Sequence, residues 1–365
     1  MTEIAQPLHG AVSRPKAAVS DTRGDWWNAG VALLSVRFIQ GFIYWGGGSR
    51  RFIYAPSKLD PSGGHSWMAN KFQTAMPGAL LGMDHVISYM LNHFYLLYAG
   101  VILFSAAELI VGALLMVGLF TRVAALVSMG FSVVLMLMFG WQGATCIDEW
   151  TMAACNLAMG ATLLLGGAGA YSIDSRLAER RPGLAGKTWF RWMAGGVPLG
   201  LPTRDFRRLG LVVFALVAIF NVATYSYYRG SVIGPFHGGP VSPTKHHLSL
   251  SQVAVQPDGS VRFHVYLDAG TPESQAHVVQ ASLLDANKAP IAKWDTTTLS
   301  KTPKSAFTND YAYNKFAPGP FGLRAQMGAK ATITLPAPTI GSETGAAYLQ
   351  LTDVDGQKFT APIKP

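Results

Sequence analysis

The apolar run AELIVGALLMVGLFTRVAA, residues 107–125, holds one carboxylate, Glu108, and Arg122 near its exit. On insertion scales an acidic side chain at the centre of a membrane helix costs about 2.5–3.5 kcal/mol, so such a residue is read first as functional. A second ionisable residue, Arg37, lies in another apolar run, about nine residues from its outer end. At 1.5 Å per helical residue, both charges sit roughly 13–20 Å below the outer surface, where they could meet. Charges inside membranes usually pair. The pair either fixes helix packing or borders a site for a quinone head, with Glu108 delivering protons and Arg37 polarising a carbonyl oxygen. Gly100, Gly112 and Gly118 supply small residues that let neighbouring helices approach closely.

These charges must be positioned by membrane helices. Half of the 365 residues are hydrophobic and only 13% are charged, against about 25% in soluble domains. Segments 27–46, 95–118, 122–140, 150–168 and 207–227 are each apolar enough to span, which takes about 20 residues. Arg14, Lys16 and Arg23, then Arg122, then the arginines and lysine of 169–208 all fall on one side if the N-terminus is cytoplasmic. The expected location is therefore the cytoplasmic (inner) membrane, with the C-terminal region periplasmic or extracellular. The net charge of +9 is explained by this orientation rather than by nucleic acid.

Four cations defy the orientation: Arg50, Arg51, Lys58 and Lys71, in the long outer loop 47–94. They either meet lipid phosphates or form a collar for a small dianion, since guanidinium forks suit oxyanions. The end of the loop, MDHVISYMLNHF, splits into an apolar face (Met83, Ile87, Met90, Leu91, Phe94) and a polar face (His85, Tyr89, Asn92, His93). That polar face is either solvated or lines a pocket for an anion or quinone. Trp26, Trp27, Tyr44 and Trp45 form an aromatic belt, with stacking on a quinone ring as the alternative for Trp45.

Two cysteines, Cys146 and Cys155, exclude a disulfide framework. Nine residues apart on a helix, they would point to opposite sides. Cys146 is a candidate redox thiol, although Asp148 and Glu149 beside it oppose a thiolate. No common nucleotide, zinc-protease or haem motif is present, so neither metal nor flavin is expected.

After residue 246 the hydrophobic period changes to two. LSLSQVAV and VRFHVYL flank a turn at Pro257-Asp258-Gly259, and five further short strands follow. About seven strands predict an antiparallel β-sandwich. The expected layout is a disordered cytoplasmic tail (1–25), a four-helix membrane domain with its outer loop (26–170), a basic cytoplasmic linker (171–206), a fifth transmembrane helix (207–228) and a periplasmic β-sandwich (240–365). His237, His246 and His247 near the entry to the β domain read as solvated linker.

The series Glu108, Gly112, Gly118-Leu119-Phe120-Thr121-Arg122, Ala124, Ala125 resembles the hallmark of the DoxX/DoxD membrane family. Arg37 with the 41–48 region is similar to that family's first helix. The loop RRFIYAPSKLDPSGGHSWMANKF and the DEW of 148–150 resemble the DoxD branch. One helix plus a β domain carrying YNKFAPGPFGLRAQMGAKATITL resembles DoxA. The resemblance covers the chain from about residue 25 as a DoxD–DoxA fusion. It implies a thiosulfate:quinone oxidoreductase, which joins two thiosulfates into tetrathionate and reduces a membrane quinone, held as substrate or bound cofactor. On that reading Arg50, Arg51, Lys58, Lys71, His85 and His93 gather thiosulfate. Arg37, Trp45, Tyr89 and Glu108 hold the quinone, and electrons pass directly or through Cys146. The partners are thiosulfate, quinone and the lipid bilayer, with a homo-oligomer left open. The competing expectation is a non-enzymatic anchor or assembly factor for a periplasmic redox protein; an anion carrier lacks the internal repeat of transporters.

Overall fold

The computed structural model describes residues 22–142, 149–229, 245–338 and 340–364. The expected disordered tail therefore lies mostly outside the described residues, and helix begins at Thr22. Helix α1 (Thr22–Ala32) meets α2 (Leu34–Ser49) at a 43° bend, and a π-helical turn, Arg50–Tyr54, prolongs α2. The outer loop folds into α3 (Met68–Ala75) and α4 (Met83–Asn92). Then come α5 (Phe94–Val117), α6 (Thr121–Phe139) and α7 (Glu149–Gly166). Among the described residues α5, α6 and α11 (Thr203–Arg229) are long and apolar enough to cross a membrane, and the bent α1–α2 pair makes a fourth if it is one span. The expected span at 150–168 is a helix lying along α6, but it is not among these.

Helices α2 and α5 run antiparallel in close contact because glycines leave room. A Cβ on Gly112 would lie 2.2 Å from the Trp45 nitrogen, and one on Gly48 would lie 2.7 Å from the backbone of Leu109. Gly41 faces the backbone of Gly112 and Met116 in the same way. The spacing of small residues thus sets the separation of this helix pair.

The stretch expected to be a basic linker is folded. Helices α8 (Ile173–Arg180), α9 (Pro182–Ala185) and α10 (Thr188–Met193) enclose a small core of Ala178, Phe190 and Ala194. Arg122 ties it to the bundle by donating to the carbonyls of Leu164, Ala194 and Val197 at 2.5–3.1 Å, and also to that of Arg191. Asp174 caps α6, its carboxylate accepting from the amides of Phe120 and Thr121, the Thr121 hydroxyl and the Gly195 amide. The Gly-Leu-Phe-Thr-Arg turn therefore does architectural work: Gly118 takes φ +68° and Phe120 takes φ 47° to reverse the chain tightly.

Beyond α11 the chain forms two antiparallel sheets. One has the strand order β1-β2-β8-β5, and the other β11-β10-β3-β4-β9 with β7 on β3 and β6 on β7. The strands are β1 (His247–Val255), β2 (Val261–Ala269), β3 (Ala276–Leu284), β4 (Pro290–Trp294), β5 (Phe307–Asn309), β6 (Phe316–Gly319), β7 (Gly322–Ala325), β8 (Lys330–Leu335), β9 (Ile340–Gly341), β10 (Tyr348–Asp353) and β11 (Lys358–Pro362). The short helix α12 (Thr296–Ser300) follows β4. Phe263, Ile333, Leu283, Leu351 and Trp294 from both sheets share one buried core. The seven expected strands are present; β5, β6, β7 and β9 are additional short ones. At the first hairpin Asp258 accepts from the Ser260 amide and hydroxyl, while Gly259 takes φ +78°.

This domain is seated on the outer loop. The Gln73 amide group donates to the carbonyls of Asn314 and Gly328, both at 2.9 Å, and accepts from the Asn314 amide at 2.8 Å. Asn314 in turn donates to the Asn70 carbonyl and the Thr74 hydroxyl. Trp141, wedged on Gly78 with its indole N–H on the Ala75 carbonyl, joins the sandwich core together with Tyr228 of α11. Loop 50–93 and the β domain therefore occupy the same end of the helix bundle.

Candidate functional site

Arg51 pairs with Glu108, and Arg37 does not. The first apolar segment was expected to end near its three glycines. Instead Gly46, Gly47 and Gly48 continue α2, because Gly47 lies beside Glu108 (a Cβ there would be 3.5 Å from Oε2) and Gly48 lies against α5. Counting the π turn, the helical stretch therefore ends at Tyr54, eight residues later than expected. Arg37 falls toward the opposite end, where it donates to the carbonyls of Ala168 (2.5 Å), Ala170 (3.4 Å) and Tyr171 (3.0 Å). The π turn carries Arg51 onto α5, where its guanidinium bonds Glu108, reaches the Ser105 hydroxyl at 3.4 Å and lies over the ring of Phe104. Such one-turn widenings often occur at functional sites. The Glu108 side chain is 6% exposed and that of Arg51 17%.

Arg51 is one wall of a cavity of about 240 Å³ between the 47–94 loop and the halves of α5 and α6 nearest that loop. Three of the four misplaced cations line it: Arg51, Lys58 and Lys71. The remainder is apolar. Met68 and Phe72 come from α3, Met83, Val86, Ile87 and Met90 from α4, Gly100 and Phe104 from α5, and Val134, Leu135, Met138 and Phe139 from α6. Burial, and then the charges of Arg50, Lys71 and Arg51, hold the Lys58 ammonium below the ordinary lysine value of 10.5. Arg51 is paired with Glu108 and Lys71 with Glu149, so among these three cations Lys58 supplies the surplus of positive charge that a bound anion would relieve.

Lys71 makes one ion pair and one ring contact. Its ammonium lies 3.2 Å from Glu149 and 5.2 Å from the centre of the Phe139 ring. It also lines a second, polar cleft of about 430 Å³ formed by the outer loop and the β domain, with His65, Asn70, Thr74, Glu149, Glu273, Gln275, Asn314 and Gln326. Lys71 thus lines both the polar cleft and the apolar cavity, with Glu149 on the cleft side. On the same rim, Lys315, Arg324 and His65 line a shallow pocket of about 190 Å³.

The other expected site residues lie elsewhere. Arg50 is exposed, caps α2 with its backbone N–H and does not line the cavity, although its charge reaches Lys58. Helix α4 is amphipathic as expected, but its apolar face lines the cavity. His85, Tyr89 and His93 are turned outward, His93 Nδ1 lying 2.7 Å from the Tyr89 carbonyl oxygen. Apolar residues of α4 face an apolar cavity because burial favours them over imidazoles. The Trp45 ring packs beside that of Phe42 and its backbone lies against Gly112 of α5; it does not line the cavity. Cys146 and Asp148 lie outside the described residues; Cys155 is an exposed free thiol. His247 is not bare linker: its Nδ1 lies 2.6 Å from Asp268. Met68, Phe72, Phe104, Met138 and Phe139 were not expected in the site, since apolar residues in apolar segments carry no mark of their own. Glu149 was visible next to the fourth helix, but its partner 78 positions away was not.

No solved structure matches the chain. Residues 32–197 match the family described as TQO small subunit DoxD, and residues 228–361 match the family described as TQO small subunit DoxA. The chain is a fusion that joins the DoxD and DoxA families in one polypeptide.

Proposed function

We propose that the protein is a membrane thiosulfate:quinone oxidoreductase working in the cavity behind Lys71. TQO, thiosulfate:quinone oxidoreductase, is the role named by both families matched. The observation that carries the reading is the succession from a polar cleft, past Lys71 and Glu149, into an apolar cavity whose charged side chains are Arg51, Lys58 and Lys71. A dianion is drawn from water toward this positive charge, while the methionine and phenylalanine walls accept a quinone head arriving from lipid. Two thiosulfates are joined by a new sulfur–sulfur bond into tetrathionate, giving up two electrons. The quinone takes both electrons and two protons to become quinol. Arg51 steadies charge on the quinone oxygen, and Glu108, held beside it, hands on protons. On this reading the β domain faces the periplasm and roofs the dianion's entry.

The test is purified protein in lipid nanodiscs with thiosulfate and a short-chain ubiquinone, following quinol and tetrathionate together. One tetrathionate per quinol is expected. A clean preparation that binds quinone yet forms neither product would instead favour an anchor for a redox partner.

A further inference from the structure

The face of α2 that carries Arg51 bears a polar residue at nearly every turn: Arg37, Gln40, Tyr44, then Gly47 beside Glu108. This stripe is buried inside the bundle; Gln40 is 0% exposed and Tyr44 3%. It is also hydrogen-bonded across three helices. Gln40 donates to the Asn156 carbonyl of α7 at 2.8 Å and to the Ser128 hydroxyl of α6 at 3.2 Å. The Tyr44 hydroxyl bonds the Ser128 carbonyl and the Ser132 hydroxyl, both at 2.9 Å.

Polar side chains often hold membrane helices together, but glue of that kind is paired. Here, among the described residues, Arg37 Nε and Gln40 Oε1 on the stripe, and Asn156 Oδ1 on the α7 residue that Gln40 bonds, are buried without a partner. Leaving a buried acceptor empty costs about 1–3 kcal/mol, and buried water commonly meets such groups. At the end of the bundle opposite the β domain, Arg37 reaches the 168–171 carbonyls next to Gly118 and Ser172. The Ser172 hydroxyl lies 2.6 Å from that of Ser175, which opens into a cavity of about 400 Å³ lined by Trp26, Trp27 and Glu179.

We infer that this stripe, with water at its unpartnered atoms, is a proton-uptake path from the far face of the membrane to Glu108. The inference rests on the quinone-reducing reading above. It adds a further activity to that reading: thiosulfate gives up electrons on the β-domain side while the two protons of each quinol come from the opposite side. Each turnover therefore separates charge across the membrane. Ser128, Ser132 and Tyr44 hydroxyls with intervening water pass protons along, and Gln40 holds water at the midpoint.

The test uses the full chain in sealed liposomes with a trapped pH dye. Thiosulfate is added outside only; as an impermeant dianion it drives just the molecules whose β domain faces outward. Quinol formed and interior protons lost are measured together. Close to two interior protons per quinol are expected for the wild type, falling at least tenfold in that ratio for Gln40→Leu and for the Tyr44→Phe/Ser132→Ala double variant. The ratio is read rather than the rate, because a misfolded fraction lowers the rate and leaves the ratio unchanged. Quinol formation with no interior alkalinisation overturns the path and leaves the oxidoreductase reading intact. An unchanged ratio in both variants also overturns it. No quinol from the wild type overturns both.

Discussion

Replacing Glu108 with glutamine should destabilise the bundle and stop turnover, and the size of the first effect follows from the burial of the ion pair. With the carboxylate gone, the Arg51 guanidinium keeps the Ser105 hydroxyl at 3.4 Å and a neutral amide in a crevice where its side chain is 17% exposed. Breaking a buried pair from one side costs about 3–5 kcal/mol. The retained amide oxygen and the partial exposure of Arg51 bring the expectation to about 2–3 kcal/mol. Arg51→Met is milder, roughly 1–2 kcal/mol, because a stranded Glu108 can take up a proton and become neutral. In the double variant neither charge remains, so its cost should fall short of the sum of the single costs by about 1.5–3 kcal/mol. The assay is reversible unfolding of all four proteins in mixed micelles, followed by circular dichroism. Quinol formation is measured separately and is expected to drop by about 10²–10⁴-fold in Glu108→Gln, the usual range for losing an acid–base group. Additive costs to within about 0.5 kcal/mol would refute the pairing. Full turnover in Glu108→Gln would refute the proton role.

Three other outcomes are expected. Gly112→Ala places a methyl 2.2 Å from the Trp45 nitrogen, so α2 must move off α5; folded yield should collapse, whereas Gly130→Ala, with open space around it, should express normally. Gln73→Ala strips three hydrogen bonds from the seat of the β domain and strands buried groups of Asn314 and Gly328; at about 1–3 kcal/mol per stranded group, limited proteolysis should cut the domain free. Lys58, held below 10.5, loses its proton earlier than an ordinary lysine as pH rises. An anion bound beside it favours the charged form, so thiosulfate affinity should fall as pH climbs through the free-site Lys58 value, and Lys58→Arg should move that fall to higher pH.

The strands and their first turn were legible because period-two alternation and Pro-Asp-Gly chemistry are local. The lone carboxylate and the misplaced cations were legible because each breaks the rule of its surroundings. The partnership of Glu108 was not. It depended on where the first helix ends: three glycines look like a stop, yet two of them, Gly47 and Gly48, face α5 and let it approach. Histidines of α4 drew attention by their chemistry, yet the opposite face of that helix lines the cavity. The polar stripe of α2 was in plain view at 37, 40, 44 and 51, but only the positions of α6 and α7 reveal that Gln40 and Tyr44 are linked.

The most direct test of the meeting place is photolabelling in membranes with an azido-quinone, followed by peptide mapping with and without thiosulfate. Label is expected on α4 between Met83 and Met90 and on α5 between Gly100 and Phe104, and Arg51→Met should abolish it. Label confined to the far-face cavity around Trp26 and Trp27, or to the lipid-exposed side of α11, and unaffected by Arg51→Met, would contradict the account.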